Sequence, residues 1–246
     1  MTICLINKFY FLCYVFLLIL LNFSLFSQIN LPTFQGTFKP ASSALSQSSD
    51  IAYSSTGHEG KTYKTTDGGV TWTEVNSYGF YNLFFVDEDI GYGVKFEDGA
   101  PFNSRWEADN TYKTTNGGVS WAKINSDGYK DMFFINENIG YAVRYDQGET
   151  IYPAYDAGKT YKTTNGGSSW TSVNNTAFYN LFFINQSIGY ATRLAGEGGA
   201  LYKTTNGGGT WTSVNNEGYS NLSFINENIG YGTRGGEAGS IYKTTN

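Results

Sequence analysis

Few residues in this chain could carry covalent or metal chemistry. There is one histidine, His58, and there are two cysteines, Cys4 and Cys13. That supply rules out a His/Cys zinc site and most Cys or Ser-His nucleophilic catalysis. Asp and Glu together number 21, but they recur inside repeated segments or sit on loops. No unique carboxylate pair stands out as an acid/base couple. A calcium loop of the form D-x-[DN]-x-[DN]-G is also missing. What does recur is a cation and an aromatic. Lys95, Arg144, Arg193 and Arg234 close one repeated segment, with Thr56 in the equivalent place of a first, weaker copy. Phe80, Tyr129, Phe178 and Tyr219 follow another. Cations of this kind make charge-assisted hydrogen bonds, and Tyr, Trp and Arg dominate binding hot spots. The chemistry on offer is recognition, with no cofactor and no metal implied.

Composition sets the frame for those residues. The chain has 246 residues and a formal net charge of -5, and its pI of about 4.9 argues against a nucleic-acid partner. Aromatics make up 17% and charged residues only 15%, a balance suited to a packed core rather than disorder. At the N-terminus Lys8 precedes an apolar run, Phe9 to Leu21, followed by small Ser24 and Ser27. This order reads as a secretory signal peptide over residues 1–27, cut near Ser27-Gln28. An uncleaved anchor is the alternative, and it would be the only route to membrane contact. Both cysteines leave with the signal, so the exported chain holds together without disulfides. Residues 28–49 form an N-terminal segment that could supply a closing strand, and residues 50–246 are repeats.

Tyr-Lys-Thr-Thr begins at Tyr63, Tyr112, Tyr161, Tyr202 and Tyr242, in steps of 49, 49, 41 and 40 residues. After the first four copies comes Asp/Asn-Gly-Gly and then Trp: Asp67 with Trp72, Asn116 with Trp121, Asn165 with Trp170, Asn206 with Trp211. An aromatic run (LFFV, MFFI, LFFI, LSFI) and an Ile-Gly-Tyr follow in each unit. Each unit predicts four short strands: the aromatic run, the Ile-Gly-Tyr segment, the Tyr-Lys-Thr-Thr segment and the Trp segment. Asx-Gly-Gly supplies the turn between the third and fourth, because Gly adopts positive φ without steric cost. Four-stranded units at this period predict an all-β β-propeller of about five blades. The fifth unit lacks a Trp strand. The segment 29–38 is a poor replacement, since it carries Pro32 and no Trp, so the reading leans to an incomplete propeller.

Thr65-Thr-Asp67-Gly-Gly-Val-Thr-Trp72 resembles the Asp-box, the bacterial neuraminidase repeat. The spacing, with Ile-Gly-Tyr strands between boxes, is most similar to the photosystem II stability/assembly-factor-like branch of these propellers. The resemblance spans residues from about 50 to 246. It implies a structural role for Asp67, Asn116, Asn165 and Asn206 and for the four Trp, away from any functional face. It also implies an exported, non-catalytic scaffold that binds a protein partner, with carbohydrate as the other ligand class. The alternative is a piece of a larger Asp-box glycoside hydrolase, of sialidase or xyloglucanase type, or of a surface adhesin. The Arg-Ile-Pro signature of sialidases is absent.

In a propeller blade, the end of strand two and the connection from strand four to the next blade share one face. The cations and the aromatics named above are therefore expected to make two rings on that face. The bland alternative pairs each cation with a neighbouring acid (Glu97, Asp146, Glu197 or Glu237) and packs each aromatic inside. Two longer strand-two-to-three connections, carrying Trp106 and Tyr155, extend from the same face. Insertions on one side of a repeat array are often its binding side.

Overall fold

Strands form where β-branched and aromatic residues alternate between turn residues, and they do so with one period through the chain. The computed structural model describes residues 42–45, 50–55, 60–96, 109–145, 158–193, 199–234 and 240–245, all within one compact unit, Phe38–Asn246. The signal-like residues 1–27 and the segment 29–38 lie outside the described residues, as do Thr56, His58, Trp106 and Tyr155.

The first antiparallel sheet is β1 (Ser42–Leu45), β2 (Ala52–Ser55), β3 (Thr62–Thr65) and β4 (Thr73–Asn76). The second is β5 (Asn82–Phe85), β6 (Gly91–Phe96), β7 (Asp109–Thr114) and β8 (Ala122–Asn125). The third is β9 (Asp131–Phe134), β10 (Gly140–Tyr145), β11 (Gly158–Thr163) and β12 (Thr171–Asn174). The fourth is β13 (Asn180–Phe183), β14 (Gly189–Thr192), β15 (Leu201–Thr204) and β16 (Thr212–Asn215). The fifth has three strands: β17 (Asn221–Phe224), β18 (Gly230–Arg234) and β19 (Ser240–Thr244). These sheets are the five blades of an all-β propeller, and the inner strands β1, β5, β9, β13 and β17 neighbour one another in turn. Every strand read from the repeat is present. Only β1 had no sequence signal, because Ser-Ser-Ala-Leu lacks the aromatic run of its four counterparts.

Period-two alternation decides what each inner strand does. In β5, β9 and β13 one face buries Leu83 and Phe85, Met132 and Phe134, Leu181 and Phe183. The other face carries Phe84, Phe133 and Phe182, whose rings meet from blade to blade at 5.2 and 4.9 Å. Strand two then crosses under the buried Phe. The Gly of Ile-Gly-Tyr makes that crossing feasible: a Cβ on Gly140 would lie 2.6 Å from the Phe134 ring.

Blades join through the tyrosine of Ile-Gly-Tyr. Tyr92 stacks on Phe134 of the next blade at 3.6 Å, and Tyr141 stacks on Phe183 at 3.6 Å. Tyr53 on Phe85 and Tyr190 on Phe224 repeat the pair. Each hydroxyl donates to a turn carbonyl of that next blade: Tyr92 to Glu137 at 2.7 Å, Tyr141 to Gln186 at 2.8 Å. A lysine of the tyrosine's own blade covers the remaining ring face, Lys113 over Tyr92 and Lys162 over Tyr141, both at 5.4 Å. Aromatic pairs of this kind contribute about 0.5–1.5 kcal/mol beyond their buried area. Burial pushes the Tyr92 phenol well above its usual pKa and that of Tyr141 to about 12.

The Asx-Gly-Gly turns lock strand three to strand four. In the first, Asp67 accepts from the Thr65 hydroxyl and from the Thr71 N–H and hydroxyl. Those bonds, the Thr71 hydroxyl foremost, hold the Asp67 carboxyl down at about 2. In the second, Asn116 Oδ1 accepts the Ser120 N–H at 2.9 Å and its amide donates to the Ser120 hydroxyl at 2.8 Å. Asn165 and Asn206 do the same with Ser169 and Thr210. Asparagine thus replaces the lost charge with a donor. Gly117 and Gly118 sit at φ +65° and +83°, a region that side chains rarely adopt. Trp121, Trp170 and Trp211 are half-buried; each lies over aromatics of its own blade and packs against a core cluster that also holds the Ile-Gly-Tyr tyrosine of the preceding blade, Tyr53, Tyr92 or Tyr141.

Candidate functional site

Strand two ends beside the connection that leads from one blade to the next, and the residue six after Trp72, Trp121 and Trp211 reaches the cation there. Lys95 Nζ lies 4.8 Å over the Tyr78 ring. Arg144 Nη1 bonds Asp127 Oδ1 at 2.6 Å. Arg234 pairs with Glu217, and its Nε donates to the Gly218 carbonyl at 3.2 Å. Arg193 stands over Tyr202 at 5.7 Å. All four cations are half-buried, so their aliphatic stems pack while the charged ends are held in place. The acids foreseen as partners, Glu97, Asp146, Glu197 and Glu237, lie outside the described residues. Among the described residues the acids that engage the cations, Asp127 and Glu217, come from the inter-blade connections.

The aromatic ring foreseen on this face is corrected. Phe80 and Phe178 are 0% exposed and Tyr129 is 1% exposed. Phe80 packs on Trp121 at 4.4 Å, Tyr129 on Trp170 at 4.8 Å, and Phe178 on Trp211 at 4.9 Å. Tyr219 alone keeps partial exposure, with Arg234 over it at 5.4 Å. A residue recurring at the same place in every blade serves the blade. Trp106 and Tyr155 fall outside the described residues.

The repeat-based reading passed over a cluster at the start of the inner strands on the same face. Blades two and four place Tyr81-Asn82 and Tyr179-Asn180 there, whereas blade three has Lys130-Asp131. Lys130 Nζ donates to the Tyr81 hydroxyl at 2.5 Å and lies over the Tyr81 and Tyr179 rings at 4.9 and 5.3 Å. Burial works against its charge, but Tyr81, Tyr179 and Asp131 hold its pKa above the ordinary lysine value. Asp131 Oδ2 accepts the Leu181 N–H of blade four at 2.7 Å, and Oδ1 accepts the Asn82 amide of blade two at 3.3 Å. One side chain thus ties three blades. Desolvation pushes its carboxyl up to about 6, against the pull of Leu181, Asn82 and Lys130. The signal was present in the sequence: Asp131 stands alone where the other blades have Asn82, Asn180 and Asn221, and Lys130 replaces the Tyr of blades two and four.

The Asp131 carboxyl has a measurable consequence. Its folded pKa of about 6 exceeds the reference value of 3.8, so the folded chain binds a proton that the unfolded chain releases. Stability therefore falls as pH rises from about 4 to about 6 and is level above that. Asp131→Asn should remove this slope, and because its amide must face one of the two donors, Leu181 N–H or the Asn82 amide, it should also lose about 1 kcal/mol of hydrogen bonding at every pH. Urea melts at pH 4 and pH 7 check it, and an unchanged slope in the variant would place the titration elsewhere.

Among the described residues, no group of three or more His, Cys, Asp or Glu could hold a metal ion. No protein-family model matches the chain, and no curated protein matches it. Solved structures do. A GH74 enzyme from Niastella koreensis superposes with a TM-score of 0.57 at 20% identity, covering 84% of this chain and 37% of that one. A structure of a nidogen/laminin complex gives a TM-score of 0.55 at 10% identity, covering 78% of this chain and 71% of that one. YCF48 bound to a D1 peptide gives 0.45 at 14% identity, covering 87% of this chain and 78% of that one. What is shared is the fold. The chain spans 37% of the length of the GH74 enzyme it resembles.

Proposed function

We propose that this chain is an exported, non-catalytic propeller that holds a protein partner on the face where strand two of each blade ends. It acts as a binding or assembly scaffold, of the kind the photosystem II assembly-factor resemblance implies. The observation that carries the reading is the row of tethered cations. Lys95, Arg144, Arg193 and Arg234 recur at one face of a chain whose net charge is -5. Lys130 adds a fifth charge at the start of an inner strand on that face. Asp127 offsets Arg144 and Glu217 offsets Arg234, and the remaining positive charge of the row suits an acidic partner segment. Side chains already held in place lose little freedom on binding.

The test is retention of a partner from the native envelope by the mature chain, compared with a variant carrying Arg144→Glu and Arg193→Glu. Lys123→Glu, on the exposed side of β8, is the control. The double reversal should lose the partner and the control should keep it. Equal retention by both folded variants would remove the cation face from the reading.

A further inference from the structure

Asparagine followed by glycine is a labile pair in an unfolded chain, because glycine puts no side chain in the way when its backbone nitrogen attacks the asparagine Cγ. The chain holds three such pairs, Asn116-Gly117, Asn165-Gly166 and Asn206-Gly207. In all three the asparagine is exposed at an Asx-Gly-Gly turn, while the glycine is buried. Each turn holds the atoms that the reaction must move. The attacking N–H is already donated within its own blade: Gly117 to the Asp89 carbonyl, Gly166 to the Asn138 carbonyl and Gly207 to the Ser187 carbonyl, each at 2.9 Å. The asparagine side chain is tied at both ends. Asn116 Oδ1 accepts the Ser120 N–H at 2.9 Å, and Nδ2, the leaving group, donates to the Ser120 hydroxyl at 2.8 Å. Asn165 is held in the same way by Ser169, and Asn206 by Thr210. The preceding blade closes over the glycine. A Cβ on Gly117 would lie 3.1 Å from the Tyr53 hydroxyl, and one on Gly166 or Gly207 would lie 3.2 Å from that of Tyr92 or Tyr141.

We propose that Asn116, Asn165 and Asn206 are sites of spontaneous deamidation that folding closes, so that their conversion marks a chain whose turns have opened. In the open turn the glycine N–H gives its proton to solvent base and its nitrogen bonds to the asparagine Cγ. The Cγ–Nδ2 bond breaks, and Nδ2 takes a proton from water and leaves as ammonia. Water then opens the cyclic imide at either carbonyl, giving aspartate or isoaspartate. In the closed turn, removing the proton means breaking the bond to Asp89, Asn138 or Ser187. Turning Cγ toward the glycine means breaking both bonds to Ser120, Ser169 or Thr210. The aspartate product fits the same turn, because Asp67 already fills this place in blade one and accepts both the N–H and the hydroxyl of Thr71. Isoaspartate inserts a methylene into the main chain and breaks the register of those bonds. This inference is independent of the cation face.

The folded full chain is incubated in mildly alkaline buffer beside a synthetic peptide of residues 112–122, YKTTNGGVSWA, and each site is followed by peptide mass mapping. The folded chain should convert at all three sites about a hundredfold more slowly than the peptide, since three hydrogen bonds must break first. The same chain held in urea should convert at the rate of the peptide. Ser120→Ala removes the hydroxyl that holds Nδ2 of Asn116 and should speed that site by about fivefold. Ser120 is exposed, and unchanged rates at Asn165 and Asn206 in the same molecule show that the variant keeps its fold. Asn116→Asp should melt at the temperature of the parent chain. Equal rates in the folded chain and the peptide, or an unchanged rate at Asn116 in the folded Ser120→Ala chain, would overturn the proposal.

Discussion

Replacing Tyr141 with alanine should destabilise the propeller by about 3–5 kcal/mol, the largest effect expected from any single change described above. Tyr141 is fully buried and engaged on every side. Phe183 of the next blade stacks on one face, Lys162 covers the other, and the hydroxyl bonds the Gln186 carbonyl. Truncation therefore opens a cavity between two blades and strips the Gln186 carbonyl of its donor. Tyr141→Phe separates the two costs. It keeps the stack and loses only the hydrogen bond, for about 1 kcal/mol. Thermal melts of both variants give the comparison. A small effect of Tyr141→Ala would mean that the blades are held by backbone neighbours alone.

Trp170→Ala comes next, at about 2–3 kcal/mol, below the range for a fully buried aromatic because the indole is half-exposed. Its ring covers Tyr129 at 4.8 Å and Phe134 at 5.8 Å. Its Nε1 has no hydrogen-bond partner among the described residues, so the loss reads packing alone. Trp121, whose Nε1 donates to the Gly118 carbonyl at 3.0 Å, should cost more by roughly the worth of that bond, about 1 kcal/mol. Denaturant melts measure both, and an unchanged midpoint for Trp170→Ala would show that the fourth strand docks without its indole.

The period of the chain made the strands legible, because Tyr-Lys-Thr-Thr, Asx-Gly-Gly, Trp and Ile-Gly-Tyr each mark one place in a blade. β1 escaped because Ser42–Leu45 shares nothing with Phe-Phe runs; only its pairing with β2 identifies it. The same regularity misled the reading of the site. Phe80, Tyr129 and Phe178 recur as a surface ring would, but a repeated position is also where a repeated core must be filled, and burial decided between the two. For the cations, sequence proximity pointed to acids downstream on the same loops. Among the described residues Asp127 reaches Arg144 and Glu217 reaches Arg234, because the inter-blade connection folds back beside the end of strand two. Lys130 and Asp131 were hidden for the opposite reason. Their interest lies in breaking the pattern, and a search for sameness passes over a difference.

Hydrogen–deuterium exchange on the chain, with and without a protein captured in the retention experiment, tests the location of the proposed binding face most directly. The account predicts added protection at the inter-blade connections around residues 126–131 and 175–180 and at the ends of β10 and β14 that carry Arg144 and Arg193. Protection confined to the Asx-Gly-Gly turns, residues 115–120 and 164–169, with the strand-two ends unchanged, would contradict it.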